Sequence, residues 1–275
     1  MATTSCASIA GLDDYAASVD GTGGASPGEG GTAETTSSAG GTGGTGGAGG
    51  AVSACAYTAT IEDAEPFAHW RFDEVAGSNG FVDAMSGPFL ESSGAIAGRP
   101  AVICGDGYAV DFSDGEARMP ANLATDFDFA AKASFSVEAW VVPPDNVFDP
   151  AGQAFDIARK LDDGSAQGWI LRLDASQVKW RRIAGPSESN NLFKSIDPQQ
   201  NPAHVVATYD EGPDEMCAFV NGQPLGCTDA PILPLPVTSA DLVVGSGPGG
   251  VVDELAIYTR ALTYEEVEAH YDAGK

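Results

Sequence analysis

The chain has 275 residues with 39 acidic and 13 basic side chains, a formal net charge of −26. That negative excess argues against nucleic acid and against an anionic membrane surface as electrostatic partners. It permits cation binding without demonstrating it, and a plain solubility role is the simpler account. No run of about 18 apolar residues occurs, so the sequence predicts no transmembrane segment.

The first 53 residues are built from Gly, Thr, Ala and Ser. Between Gly21 and Gly50, 14 of 30 residues are glycine, and no Lys or Arg precedes Arg71. Such a stretch has too little apolar surface to offset its ordering entropy, so residues 1–53 read as a disordered tether. Residues 54–275 suffice for one β-sandwich domain, which at this size buries roughly 70 % of its unfolded surface.

Pro66 to Val75, PFAHWRFDEV, reads as the first strand. Residues 76–98 are rich in Gly and Ser, which predicts loops and short edge strands. YAVDFS and EARMP flank Asp114-Gly115, a favoured turn, and are expected to form a hairpin. SFSVEAWVV, Ser134 to Val142, is the clearest strand. Phe135, Val137, Ala139 and Val141 share one face, and Ser136, Glu138, Trp140 and Val142 share the other.

Further strands are predicted at 154–160, 168–174, 177–183, 203–209, 215–220, 223–227 and 241–244. Asp162-Asp163-Gly164, Pro186, Asn190-Asn191, Gly212-Pro213 and Asn221-Gly222 supply the turns between them. Near the C-terminus a strand around Val251–Tyr258 leads into a helix. Thr263 is its predicted N-cap, Glu266 closes a capping box, and Gly274 is a candidate left-handed stop. The pattern as a whole is all-β: an antiparallel two-sheet sandwich with one short C-terminal helix.

Five cysteines occur: Cys6, Cys55, Cys104, Cys217 and Cys227. A two-residue turn at Asn221-Gly222 sets Cys217 opposite Gly226. A three-residue loop or a bulge sets it opposite Cys227, and a Cys217–Cys227 disulfide then follows. Cys55 and Cys104 are left to pair, closing a loop of about fifty residues. Disulfides point to an oxidising, extracytoplasmic compartment, cell envelope or secreted.

Four segments carry a family resemblance: HWRFDEVAGSNGFVDAMSG, SFSVEAWVV, HVVATYDEG…CAFVNGQPLG and VVDELAIYTRALTYEEVEAHYDAG. In their order, from about Pro66 to Gly274, they resemble the laminin G-like, concanavalin A-like jelly rolls. The resemblance implies a sandwich that binds glycans or proteins at cell surfaces, in some members with a calcium ion. The run of Cys6 followed by ASIAGLDDY is similar to the mature start of a bacterial lipoprotein, which implies a lipid anchor at Cys6. ATTS before it lacks the usual Leu and small-residue pattern, and no signal peptide is visible, so that reading expects an upstream signal. A free cysteine in a tail is the alternative.

Three kinds of chemistry are candidates. Calcium wants six to eight oxygens; Asp83, in the loop after the first strand, and Asp253, in the last strand, are brought together if those strands pair. Arginine pairing of Asp253 and Glu254 is the plainer alternative. Sugars stack on exposed aromatic faces, and Trp169 and Trp180 with Arg172 and Arg181 form the candidate ligand platform, unless the alternation makes the tryptophans core. Catalysis by sandwich glycanases requires paired carboxylates on one strand face. No ExDxxE string occurs, Glu138 is alone on its strand, and strict alternation sends Asp253 and Glu254 to opposite faces. His204 is expected to pack at a sheet edge.

The resulting expectation is a non-catalytic extracytoplasmic binding module for a glycan or a cell-surface protein. The alternatives are a divergent glycoside hydrolase or lyase of the same fold, or a passive envelope component.

Overall fold

The structure is a computed structural model that describes residues 55–105, 107–130, 133–144, 153–197, 201–231 and 234–275. The expected tether of residues 1–53, with Cys6, lies outside the described residues.

Helix α1 (Tyr57–Asp63) comes first, followed by β1 (Ala68–Trp70), β2 (Gly80–Phe81), β3 (Leu90–Ser93), β4 (Ile96–Pro100), β5 (Tyr108–Asp111) and β6 (Glu116–Met119). After a 3-10 turn at Thr125–Asp128 come β7 (Phe135–Val142), β8 (Phe155–Asp162), β9 (Gln167–Asp174), β10 (Gln177–Gly185) and β11 (Glu188–Ser195). Then follow β12 (Ala203–Asp210), β13 (Glu215–Val220), β14 (Gln223–Asp229), β15 (Leu242–Ser246), β16 (Val251–Tyr258) and α2 (Tyr264–Gly274).

These strands form two antiparallel sheets. The first runs β14-β13-β12-β7-β16-β5-β4, with β1 also on β16; the second runs β11-β10-β9-β8-β15-β6-β3-β2. Alternation along each strand sends one set of side chains between the sheets. Val137, Ala139, Val141, Val205, Ala207, Leu255 and Ile257 from the first sheet meet Trp169, Leu171, Val178, Trp180, Leu242 and Val244 from the second. The outer face of the first sheet is apolar as well and is covered by the two helices. Tyr57, Ile61, Trp140, Val206, Phe219, Tyr258 and Val267 make that second core.

The C-terminal helix is built as its sequence indicates. The Thr263 side chain accepts from Glu266 N, and the Glu266 side chain accepts from Thr263 N, closing the capping box. Gly274 does not stop the helix as a left-handed residue. It is the last helical residue, and a Cβ there would stand 2.7 Å from Trp140 and 2.8 Å from Tyr57. Close approach of the helix to the sheet is what requires glycine.

Two expectations fail on tertiary grounds, and a helix is present besides the expected C-terminal one. β5 and β6 do not form a hairpin: β5 pairs with β4 and β16, while β6 pairs with β3 and β15. Asp114-Gly115 turns a corner from one sheet to the other, a use of turn residues that local chemistry cannot distinguish from a hairpin. A second helix, α1, precedes the first strand. β11 occupies a stretch where Asn190-Asn191 suggested a turn; there Arg182 pairs with Asn190 and Arg181 with Asn191 in the ladder.

Both disulfides are present, Cys55–Cys104 and Cys217–Cys227. Asn221 and Gly222 both take positive φ, 51° and 73°, as a two-residue hairpin turn demands. A register shift between Ala218 and Phe219 then brings Cys217 opposite Cys227.

Candidate functional site

The helix-covered face holds a buried polar cluster centred on Glu138. Its Oε1 accepts from Tyr57 Oη at 2.9 Å and lies 2.7 Å from His204 Nε2. Its Oε2 accepts from Tyr258 Oη at 3.0 Å and lies 2.9 Å from His270 Nδ1. Burial alone raises the carboxyl pKa, but the hydrogen bonds and charge of His204 and His270 outweigh it and hold Glu138 well below the glutamate range. Burial and the Glu138 charge push both tyrosines well above theirs. Every oxygen of Glu138 is engaged and no solvent reaches it, so the cluster ties α1, β12, β16 and α2 to β7 and presents nothing to a substrate. His204 belongs to this buried set rather than to a sheet edge.

The open polar feature lies beside it, at an irregularity in β16. The register of β16 against β7 slips between Asp253 and Ala256, and Glu254 takes φ +52°. The extra residue cancels strict alternation, so Asp253 and Glu254 line the same cleft, not opposite faces. That cleft has a volume of about 180 Å³ and is walled by the Cys55–Cys104 bridge, Arg71, Asp73 and Tyr108.

Within it Glu254 Oε2 lies 2.5 Å from His69 Nε2, and Glu254 Oε1 lies 3.7 Å from Arg71 Nε. Arg71 also pairs with Asp73 at 2.6 Å, and Asp73 accepts from Tyr108 N. Asp253 is 1 % exposed and accepts from Val102 N at 2.8 Å. Burial first, then repulsion from Glu254, pushes its pKa well above the aspartate range. The mouth carries the polar, half-exposed groups Arg71 and Asp73 and the exposed Tyr108 ring. Guanidinium, carboxylate and phenol around a small hollow suit a ligand rich in hydroxyls.

A family model described as the concanavalin A-like lectin/glucanases superfamily, of laminin G type, matches residues 114–268. The chain belongs to that superfamily. No match was found among curated proteins. Among solved structures, the binding domain of Paraclostridial Mosquitocidal Protein 1 is similar at TM-score 0.56 and 16 % identity, over 75 % of this chain and 51 % of that one. The botulinum neurotoxin serotype D ligand binding domain in complex with N-acetylneuraminic acid is similar at TM-score 0.57 and 14 % identity, over 78 % and 52 %. The botulinum neurotoxin DC binding domain in complex with rat synaptotagmin II aligns at TM-score 0.55 and 12 % identity, over 77 % and 52 %. The chain thus spans about half the length of the structures it matches, and at these identities the likeness is one of fold.

In this concanavalin A-like sandwich the expected aromatic platform does not exist. Trp169 and Trp180 are fully buried between the sheets, where their indole N–H groups donate to Phe127 O and Thr208 O. Arg172 and Arg181 stand on the opposite, outer face of the second sheet. Period-two alternation separates them: Arg172 is three residues from Trp169, and Arg181 is next to Trp180. Arg172 pairs with Asp156 and neighbouring Lys179 with Asp174, while Arg181 donates to the amide oxygen of Asn191. Arg182 turns inward over the Tyr209 ring. On the outer face Arg172 and Lys179 are therefore neutralised by carboxylates, and Arg181 is held by an amide.

The expected calcium pair does not converge either. β1 does pair with β16, but Asp83 is used by its own loop. It accepts from the amides of His69, Met85 and Gly87 and lines a different hollow, with Phe67 and Phe127. Asp253 faces the cleft at the β16 irregularity. Two carboxylates in separate hollows do not fit a shared shell of six to eight oxygens.

Proposed function

We propose that this protein is a non-catalytic binding module acting outside the cytoplasm, and that it holds a glycan residue in the cleft beside Asp253 and Glu254. The carrying observation is the register slip in β16, which sets Asp253 and Glu254 in one small hollow that Arg71, Asp73 and Tyr108 also line. The hollow is of single-sugar size. Carboxylate and guanidinium groups take vicinal hydroxyls, and the exposed Tyr108 ring offers an apolar face to a sugar ring. The two disulfides support an oxidising compartment. The Gly-rich composition of residues 1–53 suits a leash. The solved structures of similar fold include one in complex with N-acetylneuraminic acid and one in complex with synaptotagmin, which favours recognition over turnover.

A glycoside hydrolase is the second reading, because two acids do face one cleft. Binding is preferred for a geometric reason. Asp253 and Glu254 are consecutive, so they leave one wall with Cα atoms about 3.8 Å apart, whereas hydrolysis needs carboxyl groups flanking the scissile bond. Glycan-array binding by the full chain, compared with Arg71→Ala and Tyr108→Ala, tests the proposal. Loss of a glycan signal in both variants is expected. A blank array for the native chain, or glycan cleavage abolished by Asp253→Asn, overturns it.

A further inference from the structure

The edge hairpin β13–β14 carries a group of side chains independent of the cleft. The register sets Cys217 directly opposite Cys227 and Glu215 directly opposite Asp229. All four leave the same face, because they alternate with Met216 and Thr228. The cysteine Cα atoms are 4.1 Å apart. One carboxylate oxygen of Glu215 lies 3.5 Å from Cys217 Sγ, and the ligating atoms of Glu215, Cys217 and Cys227 all fall within 4.8 Å of one another. Asp210 extends the row, opposite Glu215 on β12. Among the described residues none of Asp210, Glu215 and Asp229 has a basic partner. Like charges held side by side on neighbouring strands repel, and a cation relieves them.

The group opens onto a hollow of about 310 Å³, whose lining includes Thr208, Asp210, Leu262 and Tyr264. Cys227 is exposed and Cys217 half-buried, so the bridge is open to a reductant from the solvent.

We propose that Cys217 and Cys227, once reduced, form with Glu215 and Asp229 a site for a thiophilic divalent cation of the zinc class. A dithiol donor passes two electrons and two protons to the S–S bond, leaving two thiols and its own disulfide. The cation then displaces the two thiol protons and binds both thiolates. Tetrahedral zinc holds two sulfurs about 3.8 Å apart, from Zn–S bonds of about 2.3 Å. Facing residues on one hairpin allow that separation by side-chain rotation alone. The carboxylates complete an S₂O₂ set, and the β13–β14 ladder keeps the thiols together when the covalent bond is gone. The oxidised bridge offers no thiolate, so metal binding follows the redox state of the hairpin.

Cadmium titration of the full chain tests this through the ultraviolet thiolate-to-cadmium band. The reductant is a phosphine, which cleaves the bridge by taking oxygen from water and does not itself supply thiols. The Cys6→Ser/Cys55→Ser/Cys104→Ser chain removes the other bridge and the remaining cysteine. After reduction it is expected to develop the band with saturation at one ion per chain, reversed by zinc. Before reduction it is expected to show none. Adding Glu215→Gln/Asp229→Asn, two surface changes that leave the core intact, is expected to weaken binding by at least about tenfold. The proposal is overturned if the reduced chain shows no band, if the band survives Cys217→Ser/Cys227→Ser, or if the carboxamide variant binds as tightly as its parent.

Discussion

Glu138 Oε1 lies 2.7 Å from His204 Nε2, and neither side chain reaches solvent. A buried carboxylate with this set of partners is a fastener between layers: α1 contributes Tyr57, β16 Tyr258 and α2 His270 to the same two oxygens. Removing its charge strands those groups in an apolar space. Glu138→Gln is therefore expected to cost about 3–5 kcal/mol, measured by urea unfolding at neutral pH.

The same carboxylate gives a signed pH dependence. Its pKa in the folded protein is depressed, so the unfolded chain takes up the proton first as pH falls. Its contribution is complete above the ordinary glutamate value of 4.5 and is lost as pH drops below it toward the folded value. The stability gap between the native chain and Glu138→Gln should narrow as the pH falls below that point. Thermal melts of both proteins across an acidic series read this directly; a gap that stays constant throughout would contradict it.

The two disulfides should differ in worth. The Cys55–Cys104 bridge spans 49 residues and the Cys217–Cys227 bridge 10. In the chain-entropy model their removal costs roughly 4 and roughly 2.7 kcal/mol. Paired serine variants compared in denaturant should show the larger loss for Cys55→Ser/Cys104→Ser. The reverse order would mean that the edge hairpin depends on its bridge for native structure.

Gly274 has no room for a side chain against Trp140 and Tyr57. Gly274→Ala is expected to destabilise by about 1–3 kcal/mol through overpacking, although alanine is the better helix former. A stability increase in calorimetry would show that the helix end can move away from the sheet.

Trp169 and Arg172 separate core from surface on one strand. Trp169→Ala should cost about 3–5 kcal/mol by opening a cavity, and Arg172→Ala about 1 kcal/mol, since Arg172 is part-exposed and the buried Asp156 keeps Arg159 as a second partner. Equilibrium unfolding of the two variants checks the contrast.

Much of the architecture could be read along the chain. Alternation in SFSVEAWVV marks β7, Thr263 with Glu266 marks the start of α2, and the Asn221-Gly222 turn with its bulge pairs Cys217 with Cys227. These features are local: each depends on side chains a few residues apart, where period and turn chemistry act directly. Alternation also separates Trp169 and Trp180 from Arg172 and Arg181, so the mixed platform was refutable from spacing alone.

The cleft and the Glu138 cluster were decided elsewhere. Glu138 looks solitary because its partners, Tyr57, His204, Tyr258 and His270, come from four other elements, and no local pattern joins them. Asp253 and Glu254 look opposed because alternation assumes an unbroken ladder. Whether β16 slips a residue against β7 depends on the pairing of both strands and on what covers them. Local composition determined which segments become strands and helix; only the packing of sheets and helices determined which polar side chains meet, because burial and register are properties of the assembled layers.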